Sequence, residues 1–448
     1  MTEQHASQAW TGWVLMAAVA AIGSNSLVLS PLLGDVAASL ATDPVAVSRA
    51  IAAYGGMTAL SALLSGPQID RFGQRRALLA GLVLLADGMA LSAAAPGWIA
   101  LAGGQAVAGL GAGIALPAIY GLATLTAAPG RESRALGRVL TGWSVAMVAG
   151  VPAAAAIADR FGWRSVFVLL AGVMAAALIG CCRLPAVRPA EPRRPAAPLL
   201  APLRLPAVGR LLLVCLAFMG AFYGTYAFFG AHVRQALGLS AGEAGILVAA
   251  YGLGFAAAGL GDRWIDRLGA RRLHPAVLLA TAGIYALMVP APAGIPAAAA
   301  LAGAWGLANH FGLNILVLRL AAAAPQARGA VLGLNSAVTY LAVLLGVAGA
   351  GWVHPAIGFS GIAAAAALLS AMAAAIALGG RTGQMTAIGT AQEDGTWRTN
   401  ASPLPAPAAP SCRPGSTGRP ARPGPMSCSP TASPAPRTAW PPRASPPG

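Results

Sequence analysis

The sequence predicts an all-α membrane protein built from twelve transmembrane helices in two pseudo-symmetric six-helix bundles. Three observations predict it. Hydrophobic residues make up 57% of the 448 residues and charged residues only 9%, where a water-soluble domain carries roughly a quarter charged. The apolar residues gather into twelve runs close to the ~20 residues needed to cross ~30 Å of hydrocarbon. Finally, Gly66-Pro-Gln-Ile-Asp-Arg-Phe-Gly-Gln-Arg-Arg76 returns 196 residues later as Asp262-Arg-Trp-Ile-Asp-Arg-Leu-Gly-Ala-Arg-Arg272. At that offset Asp70, Arg71, Gly73, Arg75 and Arg76 become Asp266, Arg267, Gly269, Arg271 and Arg272, and Gly137, Gly150 and Gly162 become Gly333, Gly346 and Gly358. A register held along the whole chain marks a duplicated unit.

The runs are read as helices at 10–33, 44–66, 77–95, 98–124, 137–158, 165–182, 209–231, 241–262, 275–291, 294–320, 329–352 and 358–379. In lipid a helix satisfies its own backbone hydrogen bonds, and these runs are too long and too evenly apolar for barrel strands. The first run follows a polar stretch, Met1–Ala9, without a basic region or a small-residue cleavage site, so it is expected to be a retained span and not a signal peptide. After the second run, Gly66 and Gly73 are expected to allow a tight return to the third. The third carries Asp87 mid-span, where an ionised carboxylate costs ~2.5–3.5 kcal/mol and calls for a partner or a proton. Asp87 is therefore a candidate proton site, with an interhelical hydrogen bond as the alternative.

In the fourth run, Gly109, Gly111 and Gly113 follow no strand, so close helix packing explains them better than a phosphate loop; Gly252 and Gly254 in the eighth read the same way. The fifth contains Gly142, Gly150 and Pro152. In the tenth, His310 and Asn314 stand four apart on one helix face, and in the eleventh so do Asn335 and Thr339. The domains are thus expected at 1–182 and 209–380. A Pro/Arg-rich cytoplasmic linker at 183–208 joins them, and a disordered Pro-rich cytoplasmic tail follows at 381–448. Fifteen of the 35 prolines lie between Pro403 and Pro447, so no packed core is expected there. A genuine extension and a GC-rich frame read past a shifted stop both fit that composition.

A net charge of +16 would suggest nucleic acid in a soluble protein, but its distribution suggests orientation instead. All 29 basic residues are arginine, a composition expected of a GC-rich, bacterial gene. With the N-terminus inside, loops on that side hold eighteen arginines and the opposite loops four, Arg49, Arg160, Arg164 and Arg234. Basic loops stay in the cytoplasm, so both termini are expected there, in a multi-pass protein of the inner (plasma) membrane. The five cysteines have no ligand-like spacing, and no metal or other cofactor is expected.

These residues resemble the major facilitator superfamily (MFS) of secondary transporters, within it the drug and metabolite branch that includes sugar-efflux-like exporters. Gly66 to Arg76 is similar to the family's Gly-x-x-x-Asp-Arg-x-Gly-x-Arg-Arg loop signature; the second copy departs from it, with Asp262 where the first has Gly66. Gly142 to Pro152 resembles the fifth-helix pattern of the exporters, and Arg328 to Tyr340 its eleventh-helix counterpart. The resemblance implies a gating role for both loop copies, from Gly66 to Arg76 and from Asp266 to Arg272. It also implies a bend in the fifth helix at the interface between halves, and a central cavity lined chiefly by helices 1, 4, 7 and 10. Candidate cavity residues are then Asn25, Ser26, Gln105, Tyr120, Tyr223, Tyr226, Asn309, His310, Asn314 and Asn335, with His310 a second candidate proton site.

Many proton-driven relatives carry an arginine where this chain has Gln105, which puts the usual proton route in doubt. The function implied is secondary transport of small organic molecules, with efflux and proton antiport as the finer expectation and uptake as the alternative. Expected partners are a small-molecule substrate, the lipid bilayer and protons, with no nucleic acid, and the chain is expected to be a monomer. An enzyme is not expected. Gly259-Leu-Gly-Asp262 matches the short pattern of membrane aspartyl proteases, but no second acid lies at matching depth. A non-transporting receptor of the same fold remains the rival from another class.

Overall fold

The structure is a computed structural model that describes residues 2–127, 132–183 and 200–378, without the side chains of 2–9, 66–68, 70–71, 132–134, 201, 266, 326 and 328–329. The predicted tail 381–448 and most of the predicted linker fall outside these residues. Among the described residues every regular element is helical. In chain order they are α1 (Thr2–Ser39), α2 (Pro44–Phe72), α3 (Gln74–Ala93), α4 (Trp98–Leu125), α5 (Glu132–Val145), a π-turn (Ala146–Gly150), α6 (Val151–Phe161) and α7 (Trp163–Cys182). The second half follows as α8 (Pro206–Leu237), α9 (Ala241–Ala258), a 3-10 turn (Gly259–Gly261), α10 (Arg263–Leu268), α11 (Ala270–Leu287), α12 (Ile295–Ala323) and α13 (Arg328–Leu378).

Ten of these segments are long and apolar enough to span a membrane by length and composition. One of the ten, Ala330–Leu378, is two spans bent at Gly358, which leaves the helical region (φ 73°, ψ −162°), and Ala270–Leu287 supplies the last. The total is the twelve that the sequence predicts. Local signals fix the ends. Asp43 caps α2 by accepting from the Ala46 amide at 2.8 Å, with Pro44 at its first position. Ser240 and Glu243 form a reciprocal capping box on α9, satisfying two donors that a helix start leaves free.

Four glycines of positive φ carry the duplication into the backbone: Gly73 (85°), Gly162 (80°), Gly269 (83°) and Gly358 (73°). They form two pairs 196 apart, and each is the single residue between two helices, the short α10 preceding Gly269. Side chains avoid that conformation, which is why glycine holds it. Gly66 does not share in the turn, contrary to expectation. It lies inside α2, which runs on to Phe72, because glycine without a turn partner is tolerated within a membrane helix.

The helices alternate in direction, so Gly73 and Gly269 lie at one end of the bundle, here the motif end, and Gly162 and Gly358 at the other, the far end. The buried core divides accordingly. One cluster runs through the first half and into the second, taking from the second half far-end residues such as Phe229, Tyr251, Trp305, Val343 and Phe359. A separate cluster, including Val208, Phe218, Leu316, Leu320 and Val331, fills the motif end of the second half alone. Among the described residues, the core common to both halves runs from the far end to about mid-depth, as far as Phe222 and Tyr340.

Candidate functional site

Polar contacts add to that shared core. Arg234, near the end of α8, pairs with Asp35 of α1 through two bonds of 2.6 and 3.0 Å and also donates to the Pro31 carbonyl at 2.8 Å. Asp159 of α6 accepts from the Ala241 and Gly242 amides at 2.9 and 2.6 Å, placing a carboxylate on the positive N-terminus of α9. Deeper, the Ser30 hydroxyl donates to the Tyr226 carbonyl. Close approach completes the seal: a Cβ on Gly230 would lie 2.9 Å from Pro31, and one on Gly55 would lie 2.4 Å from Val343.

The fifth-span residues sit in this seam. Pro152 has no N–H for the carbonyl four residues back and crowds it, and the preceding turn widens to the π form, closed by the Val151 amide on the Ala146 carbonyl. Gly142 faces α1, where a Cβ would be 2.6 Å from the Met16 carbonyl oxygen, and Gly150 faces Ser24 of the same helix. On the other side, Gly245 and Gly252 of α9 lie against Pro152 and Met147. The widened turn is thus held between both halves.

Of the candidate cavity residues, Asn25 and Gln105 are buried and turned to each other, with reciprocal amide bonds of 3.2 and 3.3 Å. Gln105 also donates to Ser92 at 3.0 Å. This network ties α1, α3 and α4 together, and such bonds are worth about 0.6–2 kcal/mol in membranes. The Trp143 indole donates to the Tyr120 hydroxyl at 3.1 Å, and Ser26 donates to Tyr54 at 2.9 Å. Second-half candidates are dominated by rings. Phe222, Tyr226, Tyr251 and Trp305 lie 5.2–6.4 Å apart by centroid, and Tyr223 packs on Phe222 at 4.8 Å. Asn309 donates to the Tyr251 hydroxyl at 2.6 Å. The Tyr226 hydroxyl and the Asn309 and Asn335 side-chain oxygens are buried without a partner, acceptors that a ligand or water can satisfy. Asp87 is exposed, off the buried stripe Gly81, Leu85, Gly88 and Ser92 by which α3 packs.

His310 and Asn314 come together on an acid that sequence reasoning did not link to them. His310 Nε2 lies 3.1 Å from Asp262 Oδ1, and the Asn314 amide donates to the same oxygen at 3.0 Å. A signal was present: a polar pair four apart on one helix, and an acid where the first loop copy has glycine. The protease pattern at Asp262 therefore ends in a His–Asn environment and not in a second carboxylate.

Within the loop copies, Arg75 donates to the Cys182 carbonyl at the end of α7, a cation on a helix C-terminus inside one half. Arg76 and Arg272 are exposed, and Arg267 lies over the Trp264 ring at 6.0 Å. The side chains of Asp70, Arg71 and Asp266 lie outside the described residues.

Two pseudo-symmetric six-helix halves, joined at one end over polar groups buried between them, define the class of membrane carrier proteins. The family profile described as Major Facilitator Superfamily matches residues 14–322, and the chain belongs to that family of secondary transporters of small molecules across lipid bilayers. It is 28% identical over 351 residues to the uncharacterized MFS-type transporter YwfA of Bacillus subtilis (strain 168), covering 77% of this chain and 85% of the relative. It is 26% identical over 350 residues to the uncharacterized MFS-type transporter YceJ of the same organism, covering 76% and 88%.

Proposed function

We propose that the chain exports small organic molecules across the inner membrane by alternating access, rocking residues 1–182 against residues 209–380. The observation that carries this reading is the division of the core among the described residues: the halves share buried residues from the far end to about mid-depth, while the second half keeps its own core at the motif end. A carrier open on one side has this form. The arginine asymmetry supports a cytoplasmic motif end with both termini inside, and the open side is then the one from which an exporter loads. The π-turn between α1 and α9 supports the same reading, because a widened turn in the seam is a place where one half can shift on the other. In this reading the two loop copies gate the motif end, and protons exchange against substrate.

The test is intracellular accumulation of a panel of drugs, sugars and amino-acid derivatives, with and without expression. Lower accumulation of at least one compound is the expected result. Equal accumulation across the panel, with protein verified in the membrane, counts against export, and higher accumulation identifies uptake. Repeating a positive case with an uncoupler decides proton dependence: export that continues unchanged removes the antiport.

A further inference from the structure

The two halves repeat one helix crossing and then depart from it. In the first, α4 lies on α2 with Gly109 so close that a Cβ would sit 2.3 Å from the Tyr54 carbonyl oxygen. In the second, α12 lies on α9 with Gly306 in the same relation to Tyr251, at 2.0 Å. Both pairs are 197 apart, and continuing that register sets His310 on Gly113 and Asn314 on Pro117, while the loop register sets Asp262 on Gly66. Three side chains without polar atoms are replaced by an imidazole, an amide and a carboxylate, and these three are the ones that meet.

The backbone makes room for them. A Cβ on Gly113 would strike Ser61 Oγ at 2.0 Å, whereas one on Gly259 would stay 3.9 Å from the His310 ring. There α9 narrows into the 3-10 turn Gly259–Gly261, which brings Asp262 over α12. His310, sixteenth of the 29 residues of α12, lies about 22 Å from the far end at the helical rise of 1.5 Å per residue. The cross-half contact of Gly252 with Met147 lies about 17 Å along α9 on the same measure. The triad is therefore nearer the motif end than that contact. Side-chain exposure is 42% for Asp262 and 18% for His310. Asp262 directly follows the apolar span Ala241–Gly261, and a carboxylate so exposed is costly against lipid and tolerable where water reaches it.

Among the described residues no arginine pairs with Asp262. Its second oxygen and the Asn314 carbonyl are acceptors, and the rings of Phe255 and Phe311 stand 4.9 and 5.9 Å from the imidazole. A carboxylate, an amide oxygen and two neighbouring aromatic rings fit a cation that has N–H donors on one side and carbon on the other. We propose that Asp262, His310 and Asn314 form a recognition site for the ammonium group of an amine-bearing cargo. Asp262 takes the charge, Asn314 accepts a second N–H, and His310 holds the carboxylate in place. The inference rests on the reading of the chain as a carrier and names the chemical class that it carries.

The test is equilibrium binding to purified full-length protein, read by tryptophan fluorescence, with 2-phenylethylamine and its uncharged counterpart 2-phenylethanol as probes. The expected result is binding of the amine about tenfold tighter than the alcohol, with Asp262→Asn reducing the preference to about twofold or less and leaving alcohol affinity unchanged. Asn314→Ala is expected to weaken the amine about threefold. Should Asp262→Asn fail to fold, Asp262→Gly installs the residue of the first copy and is expected to erase the preference equally. Equal binding of the two probes by the parent protein, or a preference that survives at position 262, overturns the site. Amine binding without amine transport in proteoliposomes removes the carrier reading and leaves the site standing; transport of other compounds without amine preference does the reverse.

Discussion

At matching depth in the two halves, one helix crossing is closed with glycine and the other holds an Asp–His–Asn triad. Where α4 meets α2 and α12 meets α9, the crossings are alike at Gly109 and Gly306, each pressed on a tyrosine carbonyl. One turn nearer the motif end they part, Gly113 wedged against Ser61 and Thr58, His310 lodged beside Gly259. The halves agree where backbone meets backbone and no side chain fits. They differ where a 3-10 turn relaxes the contact, and there the polar chemistry collects.

The largest effects are expected where the crossings agree. Gly109→Val and Gly306→Val each push a side chain into a carbonyl, and both are expected to destabilise by about 3 kcal/mol, the upper range for overpacking. Melting in detergent measures this, and a large difference between the two would break the equivalence. Exchanging the divergent residues separates the halves: Gly113→His is expected to cost about as much, whereas His310→Gly is expected to cost about 1–2 kcal/mol, the helix-interior glycine and the lost side-chain contacts together. Similar losses for both would show that the crossings are alike below Gly109 as well.

Next comes the gate. If the first loop copy is the working latch, Asp70→Ala lowers the initial transport rate about tenfold, or ~1.4 kcal/mol of barrier, and Asp266→Ala lowers it less, with insertion intact in both. Equal rates would remove that ranking.

A smaller effect is expected at the far end. Arg234→Ala removes a partly exposed ion pair worth up to about 1 kcal/mol, enough to raise the far-open population about fivefold. Spin-label distances between the far ends of α1 and α8 measure the shift, and unchanged distances would show that glycine contacts alone hold the seal. The smallest effect is expected at Asp87. Asp87→Asn is expected to leave stability within about 0.5 kcal/mol and transport unchanged at every pH; loss of proton dependence in this variant would identify Asp87 as the proton carrier.

Much of the architecture was legible in the sequence, because lipid demands long apolar runs and the duplication repeats its turn glycines. Gly73 and Gly162 announce Gly269 and Gly358 by offset alone. The role of Gly66 was not legible, since nothing local shows whether a glycine in an apolar run ends a helix or packs within it. The polar candidates were legible as residues that avoid lipid, but their partners were not. Asn25 and Gln105 are 80 residues apart and meet only once α1 lies on α4. For Asp87, the spacing of Gly81, Leu85, Gly88 and Ser92 already marks a packing face that excludes it. The Asp262 contact needed the three-dimensional crossing, although the glycine-to-acid change between copies pointed to the position.

The single-glycine joints have a consequence for how such a chain enters a membrane. One residue between two helices, as at Gly73, Gly162 and Gly358, leaves no loop that can wait on one face while its neighbour is threaded. The spans on either side of each joint must cross as a pair, like the two arms of a hairpin pushed through cloth. The arginines beside Gly73 then steer two helices at a time, and a charge change at that joint would turn over both arms together.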